Sequence, residues 1–198
     1  MLMVGTDALE VERALGAGEL ACPGCAGALT PWGHARWRSL RGEDATARFR
    51  PRRASCAGCG RTHVLLPARW LVRRADAVAV IGAALLAKVA GSGHRSIAAA
   101  LGRPAGTVRG WLRRFGARAE DVRVFFTRLL HALDPVAGPL PPRASVLADA
   151  VEVLGAAAAA ATRRLGPRPA WEFASRASAG SLLAPVSAPS SAPGSGRG

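Results

Sequence analysis

Four cysteines stand in two close pairs, Cys22-Pro-Gly-Cys25 and Cys56-Ala-Gly-Cys59, with 30 residues between the pairs. Thiolates are soft donors, and four of them fill the tetrahedral shell of a zinc ion at bond lengths of about 2.3 Å. A CxxC turn sets two sulfurs on one side of the ion. Small residues in and after the turn let backbone N–H groups point at the sulfurs, and Gly24, Gly58 and Gly60 meet that need. The expected ligands are therefore Cys22, Cys25, Cys56 and Cys59, and the expected cofactor is a structural Zn2+. Two alternatives stand beside this reading: reduced thiols without metal, and a redox CxxC, against which two matched copies without a βαβ context argue. His34 or His63 could replace a ligand, but four thiolates already complete the shell. A catalytic zinc keeps an open position and an acid/base partner, and neither is evident, so no catalytic residue is assigned.

The second constellation lies in HRSIAAALGRPAGTVRGWLRRF, from His94 to Phe115. Ile97, Ala98 and Leu101 recur on one helical face. Val108, Trp111, Leu112 and Phe115 recur on another, at i, i+3, i+4 and i+7. The break at Gly102-Arg103-Pro104 joins two short helices by a tight turn, the pattern of a helix-turn-helix. Pro104 suits the first turn of the second helix, where no N–H is needed. The polar face of that helix offers Thr107, Arg109, Gly110, Arg113 and Arg114 to a major groove, where an arginine can grip guanine O6 and N7. The alternative is an αα-hairpin with a solvated basic face. Gly106 and Gly110 weaken the helix, each by about 1 kcal/mol relative to alanine.

These groups need elements to hold them. Residues 1–19 read as a short strand and a helix capped by Asp7, with Glu10 as its capping-box partner. Residues 20–68 form the zinc ribbon, whose hairpin runs from Trp32 to Leu40 and from Thr46 to Arg53 around a turn at Arg41-Gly42-Glu43-Asp44. Pro51 marks a sheet edge or the end of its strand. Arg48, Arg50, Arg52 and Arg53, with Trp32 and Trp37 interleaved, make this strand a candidate surface for nucleic-acid backbone. Residues 69–134 form the helix-turn-helix domain. Its first helix starts at Asp76 as N-cap and buries Val80, Ile81, Leu85 and Leu86. A further helix over 120–133 carries an apolar stripe that closes the core or pairs with a second copy. A Pro-rich linker (135–144) leads to an accessory helix capped by Ser145 within 145–183. Its run Ala156 to Ala161 favours helix but promises a poor packing surface. Trp171 and Phe173 are candidates to dock back on the domain, and residues 184–198 have the composition of a disordered tail. The fold class expected is α+β.

The 198 residues carry a formal charge of +14, and only one of the 27 basic residues is a lysine, Lys88. From Leu20 to Arg118, 18 basic residues face three acids, Glu43, Asp44 and Asp76. Such a field attracts polyanions. No run of apolar residues is long enough to span a bilayer, and the first residues lack the basic start and apolar core of a signal peptide. A cytoplasmic, nucleoid-associated protein without a membrane partner is the expectation.

The order of parts resembles the N-terminal region of bacterial insertion-sequence transposases, in which a CPxC…CxxC ribbon with an Arg-rich hairpin precedes a helix-turn-helix. The matching residues are Cys22, Pro23, Cys25, Arg52, Arg53, Cys56, Cys59 and Gly60, then Ile97, Ala98, Leu101, Gly102, Thr107, Val108 and Trp111. The stretch from Cys22 to Ala68 also resembles an actinobacterial family of small zinc-ribbon/helix-turn-helix proteins, and the likeness extends over residues 8–134. One departure is Ala26, where many such knuckles carry glycine. The transposases continue into a ribonuclease-H-like catalytic domain. Beyond Asp134 this chain has only Asp149, Glu152 and Glu172 as acids, in a stretch too short for that domain.

The resemblance therefore implies recognition of double-stranded DNA without strand transfer, by a transcription regulator or a mobile-element accessory factor. The expected base contacts are Thr107, Arg109, Gly110 and Arg113. Arg95, Arg103, Arg114 and the ribbon arginines Arg48, Arg50, Arg52 and Arg53 are expected on phosphates. A homodimer and a separately encoded integrase or transposase are candidate partners. The rival reading is a protein-interaction module docking such an enzyme or a polymerase. A zinc-dependent nuclease ranks last, since it needs an open metal position or a carboxylate cluster.

Overall fold

A computed structural model describes residues 1–184. The fold is α+β, with six strands and seven helices among those residues. The N-terminal strand β1 (Leu2–Val4) is followed by α1 (Ala8–Gly16), whose N-cap Asp7 accepts hydrogen bonds from the N–H groups of Leu9 and Glu10. Strands β2 (Leu29–His34), β3 (Arg38–Arg41), β4 (Thr46–Phe49), β5 (Arg52–Cys56) and β6 (Thr62–Pro67) complete the ribbon. They form a four-stranded sheet in the order β1-β6-β5-β2 and a separate two-stranded β3-β4 sheet. Only β1 and β6 run parallel, and their pairing makes the N-terminal segment part of the ribbon sheet.

The long hairpin expected over 32–53 is broken on both sides. β2 pairs with β5, and β3 pairs with β4, but residues 35–37 and 50–51 lie between. Pro51 has no N–H to donate, so one ladder bond is missing there. The Pro51 carbonyl still accepts from Ala35 N–H at 2.8 Å, which carries the chain across the kink. The outer hairpin can therefore turn away from the main sheet.

Alternation along the strands separates two small cores. Val4 and Leu65 face Leu15, Leu29, Ala54 and the buried cysteines. Their neighbours Met3 and Leu66 face the other way, onto Leu40 and Trp70. Phe49 packs on Trp70 with ring centroids 5.1 Å apart.

The helical core is larger. It comprises α2 (Val78–Val89), α3 (His94–Ala100), α4 (Ala105–Gly116), α5 (Ala119–Leu133), α6 (Val146–Leu165) and α7 (Ala170–Ala177). Val80, Ile81 and Leu85 are buried as expected, whereas Leu86 is exposed. The α3–α4 turn passes through Gly102 at φ +59°, a left-handed conformation that glycine adopts without penalty. Pro104 occupies the N-cap of α4 rather than its first turn. Ser145 caps α6, its Oγ accepting from Ala148 N–H.

The alanine run of α6 behaves contrary to expectation. Ala157, Ala158, Ala160 and Ala161 are buried, and α5 and α6 pack along much of their length. Short side chains let two helix backbones approach closely, so the run is an interface. The helices after the 135–144 segment thus share one core with the helix-turn-helix. Trp171 and Phe173 do dock on that core. A Cβ at Gly82 would lie 2.2 Å from the Trp171 ring, so the indole sits where only a glycine leaves room. The tail expected over 184–198 lies outside the described residues except for Ala184.

Candidate metal centre and nucleic-acid surface

The two CxxC turns are built alike. Cys22 and Cys56 each donate a backbone N–H to the carbonyl five residues on, Gly27 and Arg61, at 2.8 and 2.9 Å. Ala26 and Gly60, which directly follow the second cysteine of each pair, each donate back to the first cysteine's carbonyl. Both sit at positive φ, +58° for Ala26 and +69° for Gly60. The four sulfurs converge, with all four within 4.8 Å of one another. Cys22 and Cys59 are 3.8 Å apart, and Cys25 and Cys56 are 3.4 Å apart. A tetrahedral ion with ligand bonds of about 2.3 Å requires sulfur separations near 3.8 Å. Gly27 is packed so tightly that a Cβ there would meet the sulfurs of Cys56 and Cys25 at 3.2 and 3.4 Å. These four cysteines could hold a metal ion.

The electrostatics agree with the geometry. The Cys59 and Gly58 N–H groups draw the Cys56 thiol down to about 6. Cys22 is also lowered, chiefly by the Gly24 N–H, which lies 3.4 Å from its sulfur. For Cys25 the Gly27 N–H acts downward, but the Cys56 and Cys59 thiols together outweigh it and push Cys25 up to about 12. Four sulfurs this close cannot all ionise unaided, and a bound cation removes that obstacle. His63 is buried, with Nε2 3.4 Å from Cys22 Sγ. It supports a ligand from behind rather than replacing one.

On α4, Val108, Trp111, Leu112 and Phe115 are buried, and Arg109, Arg113 and Arg114 project from the opposite side into solvent. Thr107 and Gly110 are half-buried on the same polar face. The Arg114 guanidinium folds back along the helix, close enough that a Cβ at Gly110 would lie 2.8 Å from it. Arg95 is exposed on α3.

The chain matches no protein-family model, no curated protein and no solved structure.

The remaining arginines divide by what holds them. Arg48 is exposed and lies over the Trp37 ring at 5.4 Å, and Arg50 is exposed with Nε on the Ala35 carbonyl. Arg52 is partly spent within the fold, since it pairs with Glu12 at 2.9 Å and donates to the Gly33 carbonyl. Arg53 donates to Thr62 Oγ1. Arg103 departs furthest from its expected phosphate role. Its side chain is 12% exposed, and its donors go to Asp76 and to the carbonyls of Leu101, Gly102 and Gly42.

Asp76 does not cap α2, whose N-cap is Ala77. Its carboxylate is buried between two arginines. Arg41 Nη2 donates to Oδ2 at 2.7 Å, and Arg41 Nε and Arg103 Nε donate to Oδ1 at 3.0 and 2.8 Å. The backbone joins the same place, because Arg41 N–H donates to Ala75 O and Ala77 N–H donates to Arg41 O. The tip of the outer hairpin is thus fastened to the α3–α4 turn and the start of α2. A cue was present in the sequence: Asp76 is the single acid between Asp44 and Glu120, in a field of arginines.

Proposed function

We propose that this chain binds double-stranded DNA sequence-specifically through a zinc-stabilised ribbon and a helix-turn-helix, as a regulator or mobile-element accessory factor without catalysis of its own. The observation that carries the reading is α4. One face is locked into the core by Val108, Trp111, Leu112 and Phe115, while Arg109 and Arg113 stand exposed on the other. A helix held in this way presents donors in a fixed array, as base readout requires. Zinc is the ion suited to four thiolates, and its role here is to hold the knuckles. Of the four ribbon arginines expected on phosphates, Arg48 and Arg50 are the best placed, being exposed and without a carboxylate partner among the described residues.

A second reading draws on Trp32 and Trp37, which are 58% and 57% exposed on the ribbon. Exposed tryptophans favour contact with a protein such as a separate integrase, transposase or polymerase. Salt separates the two. Backbone contacts make log K fall steeply with log[salt], whereas an apolar dock is nearly indifferent.

The test is selection of bound fragments from a random duplex pool, with zinc measured on the same protein. One enriched motif and one zinc per chain are expected. Failure to enrich any motif, with salt-insensitive retention of an integrase instead, would favour the docking reading. Sedimentation of the complex counts the copies on the site and so tests the homodimer.

A further inference from the structure

A cleft opens between the fastened hairpin and the first turn of α4. Arg41, Arg73, Arg74, Thr107, Trp111 and Arg114 line it, with Asp76 at its base. The charges there are unequal. Asp76 is committed to Arg41 and Arg103. Arg73, Arg74 and Arg114 make no ion pair with any acid among the described residues. Arg74 is held in place, its Nη2 donating to the Leu183 carbonyl at 3.1 Å, yet its buried Nε meets no acceptor. Burial and the nearby Arg114 charge both act against Arg74. Like charges gathered in this way destabilise the protein unless an anion joins them.

Two backbone features favour the same occupant. Arg73 is held at φ +61°, a left-handed conformation that is strained for a non-glycine residue. α4 begins at Ala105 behind Pro104 with no side-chain cap; the Thr107 N–H donates to the Pro104 carbonyl, which leaves the Ala105 and Gly106 N–H groups without an acceptor among the described residues. At Gly106, which lines the cleft, a Cβ would meet nothing within 4 Å, so the approach is open.

The geometry points to a phosphate seat formed by Arg73, Arg74 and Arg114 at the first turn of α4, with the Asp76 latch setting its width. Guanidinium groups and helix N-terminal N–H groups are the usual partners of a phosphate oxygen. The inference rests on the DNA reading for its occupant, a backbone phosphate beside the α4 contact. The chemistry would also admit inorganic phosphate or a nucleotide. A phosphate fixed here would set how far α4 enters the groove.

The test uses the full, metal-loaded chain. Arg73→Glu changes an exposed residue, and Arg74→Lys retains charge while removing the fork; circular dichroism checks that both fold. Duplex affinity is titrated at several salt concentrations, and the arginine Nε–H resonances are followed during addition of inorganic phosphate. In Arg73→Glu, specific and random duplexes should weaken alike, by roughly ten-fold or more, and the salt slope should fall by about one phosphate's worth. Arg74→Lys should weaken both less. Unchanged affinity and slope in a folded Arg73→Glu protein, while Arg109→Ala still loses base preference, would overturn the seat and leave the DNA reading standing. If wild type ignores duplex DNA yet phosphate shifts the Arg73, Arg74 and Arg114 resonances, the seat stands with a small-molecule source and the DNA reading falls. Absence of both responses overturns the seat.

Discussion

Ala26 shows how a single residue can stand against its local conformation. It occupies the left-handed position that Gly60 fills in the matching knuckle. An L-residue there costs roughly 1–2 kcal/mol, offset in part by the greater freedom glycine has in the unfolded chain. Ala26→Gly should therefore stabilise the ribbon by about 0.5–1 kcal/mol, read as a higher urea midpoint of the metal-loaded protein; a lower midpoint would mean the Cβ packs usefully. Asp76 is the opposite case, a buried group whose removal leaves Arg41 and Arg103 without a carboxylate partner. Asp76→Asn should cost about 3 kcal/mol or more in urea unfolding, and loss under 1 kcal/mol would show that the latch contributes little. Its burial, 2% exposed, decides the expectation, because a surface pair would be worth far less.

At the scale of elements, α4 and α7 each depend on a helix they pack against. The polar face of α4 offers the contacts of the proposed DNA reading at positions whose neighbours are locked, so Arg109→Ala should leave folding intact. It should relax base preference at one position by about 1–3 kcal/mol, measured by competition between duplexes differing at that base pair. Arg50→Ala on the ribbon should instead weaken specific and random duplexes equally. The seat of α7 is Gly82. With a Cβ 2.2 Å from the Trp171 ring, Gly82→Ala forces the indole out or moves α2. A loss of about 1–3 kcal/mol is expected, and the paired change with Trp171→Ala should recover part of it in a double-mutant cycle.

For the whole molecule the question is how the two halves communicate. The ribbon has its own small cores, which include Cys22 and Cys56, and the helices have a separate, larger one. Met3, Leu40, Leu66 and Trp70 lie between them, together with the Asp76 latch and the Ser175 hydroxyl, which donates to the Trp70 carbonyl. If the four cysteines hold zinc as proposed, removing it with a chelator, or changing Cys56 and Cys59 to serine, should unfold the ribbon while far-UV circular dichroism retains most of its helical signal. The proposed DNA affinity should also fall, because the hairpin tip that buttresses the α3–α4 turn is lost. Simultaneous loss of all helical signal would mean that the two cores form one cooperative unit.

Much of this architecture is local and legible from the order of residues alone. Cysteine spacing specifies knuckles because two residues fix a turn. The i, i+3, i+4 pattern of Val108, Trp111 and Leu112 specifies a helix face, and Asp7 and Ser145 cap their helices through bonds to residues two or three positions away. Gly102 announces the turn it makes. The remaining features involve partners far along the chain. Asp76 reads locally as a cap, but Arg41 and Arg103 lie 35 and 27 residues away, and two charge-assisted pairs outweigh one capping bond. The alanines of α6 look unsuited to packing until α5 lies against them, and Leu86 looks like core until the face it occupies is left uncovered. Spacing and propensity constrain a chain over a turn or two; which distant surface arrives to bury a residue depends on the free energy of the whole fold.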